Sequence, residues 1–150
     1  VSATASWVTQ AAIVTALRNA SSVTSLLADG SNSVVDEVKE GQAFPYVVVG
    51  EGTEKENLYF GQGGHVVTPE LFIYTQDGSP IATSSGAAGY KLGLAIAEEI
   101  AAVLQDSGIT VDGHDVVMVN QIEDWGKERL PDAITRCVMP KFEITLEDSL

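Results

Sequence analysis

The stretch FPYVVVGEGTEKENLYFGQGGHVVTPELFIYTQD, residues 44–77, decides the fold. Its two ends, FPYVVVGEG (44–52) and HVVTPELFIYTQD (65–77), are rich in β-branched and aromatic residues, the composition of strands. A Gly-rich stretch separates them, so the segment predicts a β-hairpin whose extended tip covers residues 52–64. Pro69 has no N–H to give to a ladder and predicts an edge or a bulge within that hairpin. Part of the tip, ENLYFGQGG (56–64), differs by one transposition from the protease-cleavage tag ENLYFQG. Gly61 stands where the tag's glutamine must be, and both flanks continue as ordinary protein, so the stretch is native.

Upstream, SWVTQAAIVTALRNA (6–20) predicts a helix with Ser6 as its N-cap. Ile13 and Leu17 stand four apart there, beside a small-residue stripe of Ala12, Ala16 and Ala20. A short helical turn follows in SSVTSLLADG (21–30), capped by Ser21 or Ser22 and closed by Gly30, and VVDEV (34–38) is a short strand candidate. Downstream, DGSP (77–80) is turn chemistry. SGAAGYKLGLAIAEEIAAVLQD (85–106) predicts the longest helix, with Leu92, Ile96, Ile100, Val103 and Leu104 on its apolar face and Gly108 ending it. Gly89, Gly93, Ala97 and Ala101, each four apart, leave one line of that helix nearly bare, which suits close packing on a sheet or on the first helix.

Two further strands, DVVMVNQIED (115–124) and AITRCVMPKFEITLED (133–148), are expected on either side of the loop WGKERLP (125–131). In the last one Phe142, Ile144 and Leu146 alternate with Lys141, Glu143, Thr145 and Glu147, one face buried and the other wet. The order α-α-β-β-β-α-β-β implies an α+β fold: a mostly antiparallel sheet with two main helices packed on one face. A single domain over residues 1–150 is expected.

Composition narrows the function. Hydrophobic residues make up 45% of the chain, which indicates a folded globular protein. No run of about 18 apolar residues offers a membrane span, and VSATASWVTQ (1–10) lacks the regions of a signal peptide. Eight basic against 21 acidic residues give a net charge of −13, which argues against gripping nucleic acid, because phosphate affinity comes from Lys and Arg. The glycines of GQGG (61–64) lead into a strand without the Lys or Ser/Thr of a phosphate loop. His114 lies in VDGHDVV (111–117) with Asp112 and Asp115, a tight turn between two strands rather than a metal site, since zinc takes three or four ligands. Cys137 sits in an apolar run and is expected to be a small core residue. Glu98–Glu99 and Glu123–Asp124 fall on solvated faces. No catalytic residue, cofactor or metal is expected. Trp7 and Trp125 stand out. Trp125 lies in the polar run EDWGKERLPD (123–132), where it either anchors an interface or folds back over the sheet.

Taken in order, these features resemble the tail-completion, or tail-terminator, proteins of long-tailed bacteriophages. The resemblance rests on the N-terminal helix, VTSLLADG (23–30), Gly41, and the run Phe44, Pro45, Tyr46, Val47, Val48, Val49, Gly50 and Glu51. It continues through LFIYTQD (71–77), the Gly/Ala-rich helix and the closing hairpin, and spans about residues 5–147. It implies a hexameric ring at the head-proximal end of the tail, at the tail-neck junction of the virion. Such a ring stops polymerisation of the tail-tube protein and docks the head-tail connector protein, and DNA crosses its lumen without specific binding. It does no chemistry, is no enzyme and touches no membrane. Under that resemblance Glu51, Glu54, Glu56, Asn57, Tyr59 and Phe60 are candidates for tube or lumen contact. Gly89, Gly93, Ala97, Trp125 and Arg129 are candidates for a subunit or connector interface. The alternatives are a connector (stopper) protein of the neck, a terminator from a contractile tail, a small acidic α+β binding or hydrolase domain, and an acidic DNA mimic.

Overall fold

A computed structural model of the chain describes residues 2–56, 63–79, 81 and 89–149. Its strands are β1 (Val34–Val35), β2 (Tyr46–Glu56), β3 (Gly64–Gln76), β4 (His114–Arg129) and β5 (Thr135–Asp148). They form one sheet in the order β1-β2-β3-β5-β4, parallel between β1 and β2 and antiparallel elsewhere. Helices α1 (Ser2–Arg18) and α3 (Lys91–Ala102) pack on one face, and the single turn α2 (Ser21–Thr24) touches both. This is the α+β arrangement that the alternating strands and the two periodic helices imply.

Each helix turns a periodic stripe toward the sheet, and that of α3 includes a line of small residues. In α1, Ala5, Thr9, Ile13 and Leu17 are fully buried and recur every fourth residue. The Thr9 hydroxyl donates to Ala5 O at 2.7 Å, so its burial leaves no unmet hydrogen bond. Two side chains then tie α1 to strand backbone: Gln10 Nε2 donates to Val49 O at 2.8 Å and Arg18 Nε donates to Val34 O at 3.0 Å. In α3, Gly93, Ala97 and Ala101 are buried beside Leu92, Ile96 and Ile100. A Cβ on Gly93 would stand 2.7 Å from Val138 Cγ2, so the bare line of the helix is used against β5. Gly89 does not belong to that line. It lies in the turn before α3 at φ +62°, and its N–H donates to Asp77 Oδ1 at 3.0 Å. Arg136 Nη2 donates to the other oxygen of Asp77, also at 3.0 Å. These bonds, from Arg136 first and Gly89 second, hold the Asp77 carboxyl below its ordinary range.

Two prolines shape the sheet. Gly50 pairs with Glu70 and Thr53 with Thr68, so Glu51 and Gly52 together oppose Pro69, the bulge that Pro69 predicts. On the other hairpin Ile122 pairs with Lys141 and Gly126 with Met139, so three residues of β4 oppose Pro140. Between β3 and β5 the ladder joins Gly64–Val67 to Ile144–Glu147 and Ile73–Gln76 to Thr135–Val138, and both prolines fall in the stretch between.

Several boundaries differ from expectation. Helix α1 begins at Ser2, so Ser6 is not its N-cap; the Ser6 N–H donates instead to Glu54 Oε1 at 3.0 Å. The N-cap of α2 is Ala20, without a side-chain hydrogen bond, rather than Ser21 or Ser22. Only Val34 and Val35 of VVDEV pair. Strand β2 runs on to Glu56, so residues 52–56 are strand and not hairpin tip. The described part of the long helix starts at Lys91 and passes into a π-helical turn at Val103–Ser107. Residues 125–129 belong to β4 and not to a loop, because the bulge opposite Pro140 absorbs the irregular stretch and pairing resumes at Gly126. The D-G-H-D run leads from the helix region into β4 rather than joining two strands.

The Gly93–Val138 contact gives the first test. Overpacking a tight core costs ~1–3 kcal/mol and alanine's helix propensity offsets up to ~1, so Gly93→Ala should lose about 1 kcal/mol in urea unfolding. Combined with Val138→Ala, the loss should be smaller than the sum of the two single variants. Simple additivity would mean that this contact does not set the helix–sheet distance.

Candidate functional site

On β2 the side chains of Tyr46 and Val48 share a face with those of Tyr74 and Phe72, away from the helices, and Gly50 lies opposite Glu70. The bulge reverses the alternation. Beyond it Glu54 pairs with Val67, whose side chain is in the core, so Glu54 turns to the helix side. Only glycine fits at 52: its φ is +73°, and a Cβ there would stand 2.0 Å from Thr68 O. Turned inward, the Glu54 side chain is 6% exposed and its Oε2 stands 3.2 Å from His65 Nδ1. Its other oxygen takes the Ser6 N–H near the start of α1, where a helix favours negative charge.

The helix-free face carries an aromatic row. Successive ring centroids of Phe44, Tyr46 and Tyr74 are 5.1 Å apart, and Phe72 follows 6.4 Å from Tyr74. Cys137 pairs with Tyr74 in this layer and is 2% exposed, a core residue as its apolar surroundings suggest. Burial is the main cause that pushes the Cys137 thiol up to about 11 and the Tyr74 hydroxyl up to about 12.

Strand β4 stands at one end of the sheet, and among the described residues no strand pairs with its outer edge. A bulge at Val117 leaves Val117 and Met118 about half exposed on it. Its closing turn is built by Asp132, whose Oδ1 accepts the N–H groups of Ile134 and Thr135 at 3.0 and 2.8 Å. Arg129 Nη2 donates to Ala133 O at 3.0 Å, and Ala133 adopts φ +67°. On the helix layer, Trp7 is 61% exposed beside a groove of about 500 Å³ between α1 and residues 108–112.

Residues 11–147 match the family described as Tail completion protein gp17. The chain belongs to that family. Its fold is similar to a chain in the solved virion of a native gene transfer agent particle, with a TM-score of 0.68 at 21% identity over 92% of this chain and 93% of that one. No curated protein matches. The chain is therefore a structural, tail-completion component of a virion, a class that points away from catalysis. No helix among the described residues is long and apolar enough to cross a membrane.

The structure separates the candidate residues. Glu51 and Glu56 are exposed on β2. Glu54 is not available as a lumen or tube contact, because the bulge buries it against His65 and α1. Asn57, Tyr59 and Phe60 lie outside the described residues. Gly93 and Ala97 are spent on packing within the chain, and Gly89 on the Asp77 turn. Trp125 folds back: it is half buried against the core with its ring 6.4 Å from Phe142. Trp7, not Trp125, is the open tryptophan. Arg129 is exposed but braces the β4–β5 turn. What the sequence missed is the meeting of Glu54, His65, His114 and Asp148. Its signal, a glycine opposite a proline that swaps the faces of a strand, becomes usable only when the register is known.

The Cys137 and Tyr74 shifts predict an alkaline limb. Both groups ionise later in the folded chain than at their ordinary values of 9.0 and 10.0, so their contribution is complete below pH 9 and is lost as pH rises toward 11 and 12. Urea unfolding from pH 8 to 11 should show stability falling, and Cys137→Ala should flatten that fall. An unchanged slope would show that the thiol is not the group responsible.

Proposed function

We propose that this chain forms a ring, six-fold as the family resemblance implies, at the head-proximal end of a phage tail. The ring ends polymerisation of the tail-tube protein, offers a docking surface to the head-tail connector protein, and lets DNA pass through its lumen. The observation that carries this reading is the family match over residues 11–147.

The surfaces left free by the fold support it. A closed ring needs two different patches on each subunit, one for each neighbour. The β4 edge with Val117 and Met118 is one such patch, and Trp7 with its groove on the helix layer is another. Arg129 lies at the other end of β4 and stays a candidate for the connector or a neighbouring subunit. Glu51 and Glu56 stay candidates for the tube or the lumen, joined by the hairpin tip at 57–62. A net charge of −13 gives passing phosphates no reason to adhere.

Particles made without this gene test the assignment by negative-stain microscopy. Full heads beside detached tails of uncontrolled length are expected. Tails of normal length that fail only to join heads would move the protein to the connector, and intact particles would overturn the structural role. The tip is tested separately by replacing residues 57–62 with an Asn-Gly turn. This keeps Glu54 in place, so the chain should fold with an unchanged circular dichroism spectrum and lose tail capping. Capping that survives the replacement would remove the tip from the interface.

A further inference from the structure

Both histidines of the chain meet at one end of the sheet, although 48 residues separate them in the numbering of His65 and His114. His65 is on β3, His114 opens β4 and Asp148 closes β5, where it pairs with His114. The ligand atoms of these three residues all lie within 4.8 Å of one another. Asp148 Oδ1 is 3.0 Å from His65 Nε2 and 3.2 Å from His114 Nε2, and each imidazole is 9% exposed. The remaining ring nitrogens also face acceptors. His114 Nδ1 is 2.9 Å from Asp112 O, and His65 Nδ1 is 3.2 Å from Glu54 Oε2.

Two neutral imidazoles carry one ring proton each, and two of the four contacts have hydrogen-bond geometry, His65 Nε2 with Asp148 Oδ1 and His114 Nδ1 with Asp112 O. His65 Nδ1 and Glu54 Oε2, both buried, have no hydrogen-bond partner among the described residues. His114 Nε2 faces the same Asp148 oxygen as His65 Nε2. A single divalent ion at that junction would take both Nε2 atoms and the carboxylate oxygen. The His65 ring proton would then sit on Nδ1, facing Glu54, and a carboxylate or carbonyl on Nδ1 is the partner that orients a metal-binding histidine. The spacing fits as well: ligands about 2.0 Å from a tetrahedral metal lie about 3.3 Å from each other. Room for the carboxylate is kept by Gly63, where a Cβ would stand 2.6 Å from Asp148 Oδ2. Backbone bonds hold the corner together: Asp148 N donates to Gly63 O at 2.8 Å and Ser149 N to Gly113 O at 3.0 Å.

We propose that His65, His114 and Asp148 bind one divalent transition metal of the zinc class, with Glu54 and Asp112 O orienting the two imidazoles. Asp148 is half exposed, so the fourth position faces solvent and takes water. The metal clips the base of the β2–β3 hairpin to the start of β4 and the end of β5. The proposal does not depend on the tail role.

The test uses the tag-free full chain with Zn²⁺ and Co²⁺. Calorimetry should give one Zn²⁺ per chain, and Co²⁺ should produce the intense visible absorption of a tetrahedral site. Zinc should raise Tm by several degrees. His114→Ala and Asp148→Asn should abolish the Co²⁺ band and the Tm shift, while Glu54→Gln should weaken binding roughly 10–100-fold. Where a variant fails to fold, imidazole carbon shifts of the wild-type chain on zinc addition report ligation through Nε2. No stoichiometric binding by the folded chain would overturn the proposal. So would binding that persists in His114→Ala and Asp148→Asn, or imidazole shifts that zinc leaves unchanged.

Discussion

Pro69 sits within β3, the middle strand of the sheet, and has no N–H to contribute to a ladder. The sheet accommodates it with a bulge on β2, and that bulge is possible because residue 52 is glycine. Much of one end of the molecule follows from this. The extra residue turns Glu54 from the open face to the helix side, and there it receives the Ser6 N–H and meets His65. Pro140 has a parallel effect on β5, where the three-residue excursion of β4 brings Trp125 over Phe142 and closes that side of the core.

Core and surface divide the small residues differently from what their spacing suggests. The line of Gly93 and Ala97 is consumed by α3 meeting β5, which leaves the β4 edge and the exposed Trp7 as open features among the described residues. One belongs to the sheet and the other to the helix layer. A subunit with unlike patches suits a ring in which each copy grips its neighbour through two different faces. The acidic balance of the chain acts over a longer range than any of these contacts.

The alternation of Phe142, Ile144 and Leu146 and the fourth-residue stripes of both helices fixed the fold class from local pattern alone. All three strand residues are fully buried, as are Ile13, Leu17, Ile96 and Ile100. Pro69 even announced its own bulge. Element ends were less legible. Ser6 has the chemistry of an N-cap but lies inside α1, and the polar run around Trp125 has loop composition but pairs within β4. In both places tertiary partners, the Glu54 carboxylate and the neighbouring strand β5, supply what local preference does not.

By itself the sequence determined the periodicities, the two hairpins, the absence of a basic binding surface and the ordered features that place the chain with tail-completion proteins. Only the tertiary structure decided which side chains meet. His65 and His114 belong to different hairpins, and Glu54 and Asp148 reach them through a bulge on β2 and the last residue of β5. The physical reason is that side-chain direction along a strand is local, with a period of two, whereas register is a relation between strands. A single inserted residue leaves the composition almost unchanged and moves every later side chain to the other face.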